Sequence, residues 1–161
     1  MELKNGIWRR PRGIIRLEVF KDGRLIRKEV LKNLFVNAGK PALANLLGGA
    51  TGSWDVTAIG FGSGSVAPTV GDTTLTAPAY YKAIGAPSYD GLGSVTFAWT
   101  LTTGDTGAIG ITIQELGMYA NNTTVSLPGA TEPATLIARR TIAPIVFTSG
   151  MNISGTWEET F

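Results

Sequence analysis

The stretch Ser94-Val95-Thr96-Phe97-Ala98-Trp99-Thr100-Leu101 alternates large apolar side chains with small or polar ones. Because successive side chains of a β-strand point to opposite faces, this period of two predicts a strand that is buried on one face. Val95, Phe97 and Trp99 share the face that we expect to be buried. A strand of this kind needs a second layer to cover its apolar face, so the stretch favours two packed sheets.

Similar segments follow Gly49 and are separated by glycine-rich turns, at residues 55–62, 79–86, 109–120, 134–142 and 151–160. The alternation changes phase near Gln114-Glu115, which predicts a β-bulge there. We therefore predict a mainly β protein, an antiparallel β-sandwich that is jelly-roll-like, with one short helix and a basic N-terminal arm and hairpin. The expected structural core consists of Val95, Phe97, Trp99, Ile111, Ile113, Ile153 and Trp157.

Residues 13–31 have the pattern of a β-hairpin. Two apolar, alternating runs flank Lys21-Asp22-Gly23-Arg24, and Asp-Gly is a pair that favours a tight hairpin turn. Arginine and lysine side chains would occupy the solvent side. One interpretation is a solvated edge whose charges prevent unwanted strand pairing. The other is a surface that docks on a partner.

One short helix is predicted over residues 38–47. We expect Asn37 to cap its N-terminus and Gly48-Gly49 to end it. An apolar stripe at helical spacing is expected to pack in the core, and it consists of Leu43, Leu46 and Leu47.

Charge is divided unevenly along the chain of 161 residues. Residues 1–47 have a net charge of +7 and the remaining 114 residues a net charge of −5. We expect a single domain, with a basic arm over 1–12, a basic hairpin and short helix over 13–47, and a Thr/Gly-rich β body over 48–161. The division predicts self-association and docking on an acidic partner. The expected docking residues are Arg9, Arg10, Arg12, Arg16, Arg24 and Arg27.

Several groups that enzymes commonly use are missing from the sequence. It contains no histidine and no cysteine, so imidazole bases, thiol nucleophiles and thiolate metal ligands are excluded. Glu158 and Glu159 are adjacent on a predicted strand, so their carboxylates would point to opposite faces. We therefore predict that the protein is not an enzyme and has no catalytic residues, no cofactor and no metal.

Two short motifs allow both a ligand-binding and a structural interpretation. Gly60–Ser65 is rich in glycine but lacks the Gly-Lys-Ser/Thr ending of a phosphate loop, and a flexible turn is favoured. Asp72 has no neighbouring carboxylates that would complete a calcium shell, so an Asx-turn is favoured there.

The four tryptophans differ in their surroundings. Trp99 and Trp157 are in phase with apolar neighbours and are expected in the core. The pattern does not place Trp8 and Trp54, so a carbohydrate-binding platform remains an alternative interpretation. The basic segment around Trp8 resembles a nucleic-acid arm only in composition, so no nucleic-acid partner is expected. No stretch approaches the roughly 20 apolar residues of a membrane span, and no membrane association is expected.

Three segments follow one another along the chain: Asn33–Gly39 before the leucine-rich helix, Ile59–Gly64 with Ala67–Leu75, and Gln114–Tyr119 with Leu136–Arg140 ahead of the strand that contains Trp157. As an ordered set they resemble a pattern found in small β-rich structural proteins of tailed bacteriophage virions. Similar patterns occur in capsid decoration or cement proteins and in tail, baseplate and fibre components. The resemblance implies a structural role in the virion and has no catalytic residues to transfer.

The resemblance and the charge division together predict a protein that forms homo-oligomers and docks on other virion proteins of the capsid or tail. A capsid decoration or cement role is favoured. The alternatives are a tail, baseplate or fibre-adaptor component and a carbohydrate-binding β-sandwich module. The expected location is the virion, assembled in the host cytoplasm. Within the third segment, one of Arg139 and Arg140 would point inward or toward a neighbour, with Glu115 as the expected partner.

Overall fold

Two antiparallel β-sheets of five strands each form the framework, in a computed structural model that describes residues 12–51, 54–120 and 135–161. The first sheet has the strand order β2-β1-β10-β7-β6 and the second β3-β9-β8-β4-β5. Buried apolar side chains of both sheets meet in one cluster, which confirms the predicted mainly β, sandwich-like architecture. The jelly-roll connection stays a prediction. The elements are β1 (Arg12–Lys21), β2 (Arg24–Lys32), β3 (Leu34–Phe35), α1 (Gly39–Leu47), β4 (Val56–Gly62), β5 (Pro78–Ala83), β6 (Ser88–Tyr89), β7 (Ser94–Leu101), β8 (Thr112–Ala120), β9 (Thr135–Val146) and β10 (Met151–Thr160).

The longer strands lie close to the predicted segments. β7 and β10 have the predicted bounds, 94–101 and 151–160. β9 continues to Val146, beyond the predicted end at residue 142. β8 begins at Thr112 because a 3-10 turn at Thr106–Ala108 precedes it. The two-residue strands β3 and β6 are too short for alternation to indicate them.

Asp22 and Gly23 form the turn between β1 and β2, as predicted. Their φ angles of 49° and 77° are both positive, which a two-residue type I′ turn requires at its central positions. β1 pairs with β2 on one side and β10 on the other, and its inward residues Ile15, Leu17 and Val19 are buried. The basic hairpin is therefore part of the sandwich itself.

Trp99 lies in the core between the sheets. Its ring packs edge-on against Phe61 of the facing sheet, with ring centroids 5.3 Å apart. It also covers Gly155 on the neighbouring strand β10, where any added Cβ would overlap the indole. The predicted core residues that are buried are Phe97, Trp99, Ile113, Ile153 and Trp157.

Val95 and Ile111 correct the core prediction, because both are only half-buried. Val95 is near the start of β7, beside the short strand β6. Ile111 immediately precedes β8. Both pack against the margin of the core. Period two indicates which face a side chain occupies, but not how far the opposite layer extends along the strand.

The predicted bulge is present as a register shift between Ile113 and Glu115 in the pairing of β8 with β9. Beyond it, β8 is buried on both faces as far as its last residue, Ala120. The loop of residues 63–77 covers the outer face, and its Leu75 joins a second apolar cluster that includes Tyr119.

The start of α1 differs from the prediction. Its N-cap residue is Ala38, which makes no side-chain capping bond. Asn37 is exposed, and its backbone N–H donates to the carbonyl oxygen of Val70 at 2.8 Å. The loop therefore determines the position of Asn37. The helix ends before Gly48 and Gly49, as predicted.

The leucine stripe of α1 is not core, contrary to the prediction. Leu46 and Leu47 are 50% and 80% exposed, and Leu43 is half-buried. The helix packs on β9, and only Gly39 and Ala42 are buried. A single short helix at the margin of a sandwich covers one narrow line of residues and leaves the rest of its apolar face open.

Replacing Trp99 by alanine should lower the free energy of unfolding by roughly 3–5 kcal/mol, because loss of a buried aromatic leaves a cavity. Chemical denaturation measures the change. Thr100→Ala, on the exposed face of the same strand, is the matched control and should change stability by less than about 0.5 kcal/mol. A similarly small loss for Trp99→Ala would contradict a packed ring.

Gly155→Ala tests the same contact from the neighbouring strand. The added methyl would overlap the indole of Trp99 and should cost roughly 1–3 kcal/mol. In a Trp99→Ala background the same change should cost less, because the obstructing ring is gone. A double-mutant cycle measures this coupling. Strictly additive losses would show that Gly155 is required for another reason.

Candidate functional site

The β1–β2 hairpin carries the described part of the predicted docking residues. Arg12, Arg16 and Arg24 are exposed, and Arg27 is half-buried. Arg12 and Arg24 form no ion pair with any described residue. The remaining two predicted docking residues, Arg9 and Arg10, lie outside the described residues.

Ion pairs within the protein neutralise part of the hairpin's charge. Arg16 pairs with Glu158 of β10 at 2.7 Å, and Lys28 pairs with Glu18 across the hairpin at 2.7 Å. Both pairs are exposed, and such pairs contribute about 0–1 kcal/mol each. Arg16 can therefore exchange its partner for an acidic group of another protein at little cost.

Arg27 has a structural role. Its guanidinium pairs with Glu29 at 2.6 Å and donates to the carbonyl oxygens of Ala143 and Pro144 in β9. These bonds connect β2 to the facing sheet. Arg27 is therefore held within the protein, whereas Arg12, Arg16 and Arg24 present their charge to solvent.

Apolar side chains lie among the charges of β2, which is an edge strand of its sheet. Leu25, Ile26 and Val30 are each more than half exposed. An edge strand also presents backbone N–H and C=O groups that can pair with another chain. We call this basic and apolar area the hairpin surface; it consists of Arg12, Arg16, Arg24, Leu25, Ile26 and Val30.

Glu115 and Arg139 form a buried ion pair on the second sheet, which confirms the partner expected from the sequence. The closest nitrogen and oxygen are 2.7 Å apart, and the residues are 0% and 1% exposed. The carboxylate also accepts the backbone N–H groups of Gly64, Thr76 and Ala77. The buried negative charge is therefore compensated by a guanidinium and by oriented backbone donors.

Arg139 extends this cluster to Asp72, which lies 2.6 Å from its guanidinium. Asp72 also accepts the N–H and the hydroxyl of Thr69. Burial acts to raise the pKa of Asp72, but the bonds from Thr69 and Arg139 outweigh burial and hold that pKa below its usual value. The Asp72 carboxylate bonds to Thr69, three residues before it, whereas an Asx-turn requires a bond to the backbone two residues after it. The predicted Asx-turn is therefore wrong. No group of three or more metal-ligating side chains occurs among the described residues.

The Gly60–Ser65 stretch is not a flexible turn, contrary to the prediction. Its first three residues belong to β4, and Gly64 is buried with its N–H bonded to Glu115. The partner is distant in sequence, so the local composition does not reveal it. The second and third segments of the resemblance meet in this cluster, and Asn37 of the first bonds to the same loop. These segments form one structural unit.

Asp105 forms a second polar cluster that the sequence analysis missed. It accepts hydrogen bonds from the hydroxyl of Tyr80 at 3.1 Å, Lys82 Nζ at 2.6 Å and the N–H of Thr102 at 2.8 Å. Burial raises the pKa of Tyr80 to about 12, so the phenol keeps its proton at neutral pH. The cluster fastens the turn after β7 to β5. Its members are too far apart in sequence to form a recognisable motif.

An apolar cavity of about 760 Å³ lies beside α1, between the start of β7 and the end of β10. Glu159 lines it and is 2% exposed. Its carboxylate accepts hydrogen bonds from Trp157 Nε1 at 3.0 Å and from the side-chain amide of Asn33, while Oε2 has no partner among the described residues. Burial raises the pKa of Glu159 to about 7. The apolar walls include Phe35, Leu43, Trp54, Val95, Phe97 and Ile137.

The described tryptophans do not form an exposed platform. Trp99 and Trp157 are buried in the core, as predicted, and Trp54 is half-buried in the wall of the cavity. Trp8 lies outside the described residues. Among the described residues, no helix is long and apolar enough to cross a membrane.

The chain matches no known family model, no curated protein and no solved structure. The hairpin surface, the buried clusters and the cavity are therefore the features that bear on its function.

Glu115→Gln should destabilise the protein by roughly 3–5 kcal/mol, because removing one charge of a buried pair leaves the other uncompensated. Chemical denaturation measures the loss. Glu18→Gln breaks the exposed pair with Lys28 and is the matched control, with an expected loss of about 0–1 kcal/mol. Equal losses for the two variants would contradict the special position of Glu115.

Glu159 should make stability depend on pH. Its pKa is higher in the folded protein, about 7, than the ordinary value of 4.5, so folding favours the protonated acid. The stabilisation is complete below pH 4.5 and is lost as the pH rises to about 7. The shift corresponds to roughly 3 kcal/mol.

Denaturation at pH 5 and pH 8 tests this expectation. The range lies above the region where carboxylates of lowered pKa, such as Asp72 and Asp105, lose their contribution. Glu159→Gln should abolish the difference between the two pH values. Glu158→Gln, on the opposite face, should retain it. A wild-type stability that does not fall between pH 5 and pH 8 would be the contrary result.

Proposed function

We propose that the chain is a non-enzymatic structural protein of a tailed bacteriophage virion. It docks through its basic N-terminal segment and the hairpin surface, and it forms homo-oligomers. We favour a capsid decoration or cement role. The hairpin surface is the observation that carries this proposal, because it combines exposed arginines with exposed apolar side chains on a sheet edge.

The two kinds of side chain contribute differently to docking. Surface charges are largely screened beyond about 8 Å at physiological salt, so the arginines stabilise only a partner in close contact. Burial of Leu25, Ile26 and Val30 adds about 25 cal/mol for each Å² of apolar area removed from water. The surface is suited to a partner that is acidic and has apolar side chains of its own.

The resemblance to virion proteins supports the same role. Its segments build the cluster around Glu115 and Arg139, in which the charged groups satisfy one another and hold a loop in place. A loop held in place in this way suits a structural protein. A tail, baseplate or fibre-adaptor role would use the same surface, because the resemblance extends to those components. A carbohydrate-binding role has less support, since Trp99 and Trp157 are buried.

Deleting residues 1–11 should reduce incorporation into particles while leaving the β body folded, because β1 begins at Arg12. A second variant, Arg12→Gln with Arg24→Gln, should also reduce incorporation. The number of copies per particle, measured by quantitative mass spectrometry and cryo-electron microscopy, is the readout. It also separates a capsid role, with many copies, from a tail role, with few.

The control is Lys40→Glu, which changes the net charge by the same two units outside the hairpin surface and should leave incorporation unchanged. Binding of the wild-type chain should weaken as salt rises. If the truncated and arginine variants decorate particles as well as the wild type, the hairpin is an inert solvated edge and the docking proposal is wrong.

A further inference from the structure

The cavity beside α1 has acidic side chains and no basic ones among the described residues that line it. Asp55, Asp90 and Glu159 all line it. Asp90 accepts the backbone N–H groups of Ser94 and Leu92, and these bonds lower its pKa, so it is ionised at neutral pH. Apolar walls with negative charge favour an occupant that is both apolar and positively charged.

Glu159 provides an unused acceptor in this cavity. The residue is 2% exposed, and its Oε2 has no partner among the described residues. The indole N–H of Trp54, in the same wall, also has none. Buried polar atoms in proteins are nearly always hydrogen-bonded, so each unpartnered atom here indicates a missing donor or acceptor. A guanidinium would supply donors to Glu159.

The mouth of the cavity is also incompletely covered. Leu46, Leu47 and Phe161 line it and are 50%, 80% and 57% exposed. Exposed apolar residues that adjoin one another mark interaction sites more often than isolated ones do. A volume of about 760 Å³ is in the range of ligand-sized pockets and accommodates bulky side chains of a peptide.

We propose that this cavity receives the segment Ile7-Trp8-Arg9-Arg10 of a second copy of the chain. The segment places two bulky apolar residues directly beside two arginines, which is the combination that the walls and acidic groups require. The inference rests on the proposed function, because it names one partner for the basic N-terminal segment.

The position of the cavity brings this occupant within reach. Arg12, the first residue of β1, pairs with Thr160, which follows Glu159 in β10. The eleven residues before Arg12 are therefore attached to the described part of the chain beside the rim of the cavity. Two copies that meet at this rim bring each N-terminal segment to the other's cavity, and such reciprocal exchange gives a closed dimer.

Disulfide trapping tests the proposal, because the chain has no cysteine of its own. Gly6→Cys, immediately before the proposed segment, and Leu46→Cys are introduced into separate full-length chains with tags of different size, which are then mixed and oxidised. A disulfide between the two chains forms efficiently only if the segment of one chain lies at the other copy's cavity. The control pair is Gly6→Cys with Val30→Cys, since Val30 is exposed on the hairpin and does not line the cavity.

We expect at least a tenfold higher yield of the mixed disulfide for Leu46→Cys than for Val30→Cys. An excess of a synthetic peptide of residues 1–11 should suppress it, and the same peptide with both arginines replaced by glutamine should not. Equal yields for the two cysteine positions would overturn the proposal. So would a chain carrying both Gly6→Cys and Leu46→Cys that forms its disulfide only within itself, because the occupant would then be its own segment.

The role of charge is measured separately at pH 8. Glu159→Gln should lower the yield of the mixed disulfide several-fold, whereas Glu158→Gln, which faces away from the cavity, should not change it. If the yield of the mixed disulfide is unchanged in Glu159→Gln, the proposed contact between Glu159 and an arginine of the segment is wrong. If trapping fails while deletion of residues 1–11 still prevents incorporation into particles, the segment docks on another virion protein. In that case this inference is wrong and the proposed function is retained.

Discussion

The ion pair between Glu115 and Arg139 fastens a loop of fifteen residues, 63–77, to the outer face of the second sheet. Loops of this length without secondary structure are uncommon in compact domains and need local anchors. Moving both charges out of water is costly, so the pair alone contributes little net stability. Its value lies in specificity. Once the loop has left its position, Glu115 and Arg139 keep each other but lose the loop's backbone donors and the carboxylate of Asp72, so alternative loop conformations are strongly disfavoured.

The two sheets therefore differ in which of their surfaces are covered. The loop and a second apolar cluster with Tyr81 and Tyr119 cover the outer face of the second sheet. The edge of the first sheet carries the hairpin surface, and the margin near α1 holds the acidic cavity. A positively charged surface and an acidic cavity thus lie on a common framework. That arrangement suits a protein which contacts several neighbours at defined angles.

Local patterns in the sequence predicted the regular parts of the fold. Alternation placed β7 and β10, the Asp22-Gly23 pair placed the hairpin turn, and the change of phase placed the bulge. The predictions were wrong or incomplete where contacts with residues distant in sequence decide whether a side chain is buried. The leucines of α1 look like core because spacing does not reveal that the sandwich ends beside the helix. For Glu159, the strand pattern showed only that its carboxylate points away from that of Glu158, since its burial depends on the strands and the helix that surround it.

The anchoring of the loop at residues 63–77 has a consequence for its evolution. Glu115 binds the backbone N–H groups of Gly64, Thr76 and Ala77, so these anchors hold the main chain without using the side chains between them. Val66 and Val70, between these anchors, are 60% and 52% exposed. Their side chains can be exchanged while the course of the main chain is preserved. The exposed positions of the loop can therefore diversify on an unchanged scaffold, much as binding loops do in other β-sandwiches.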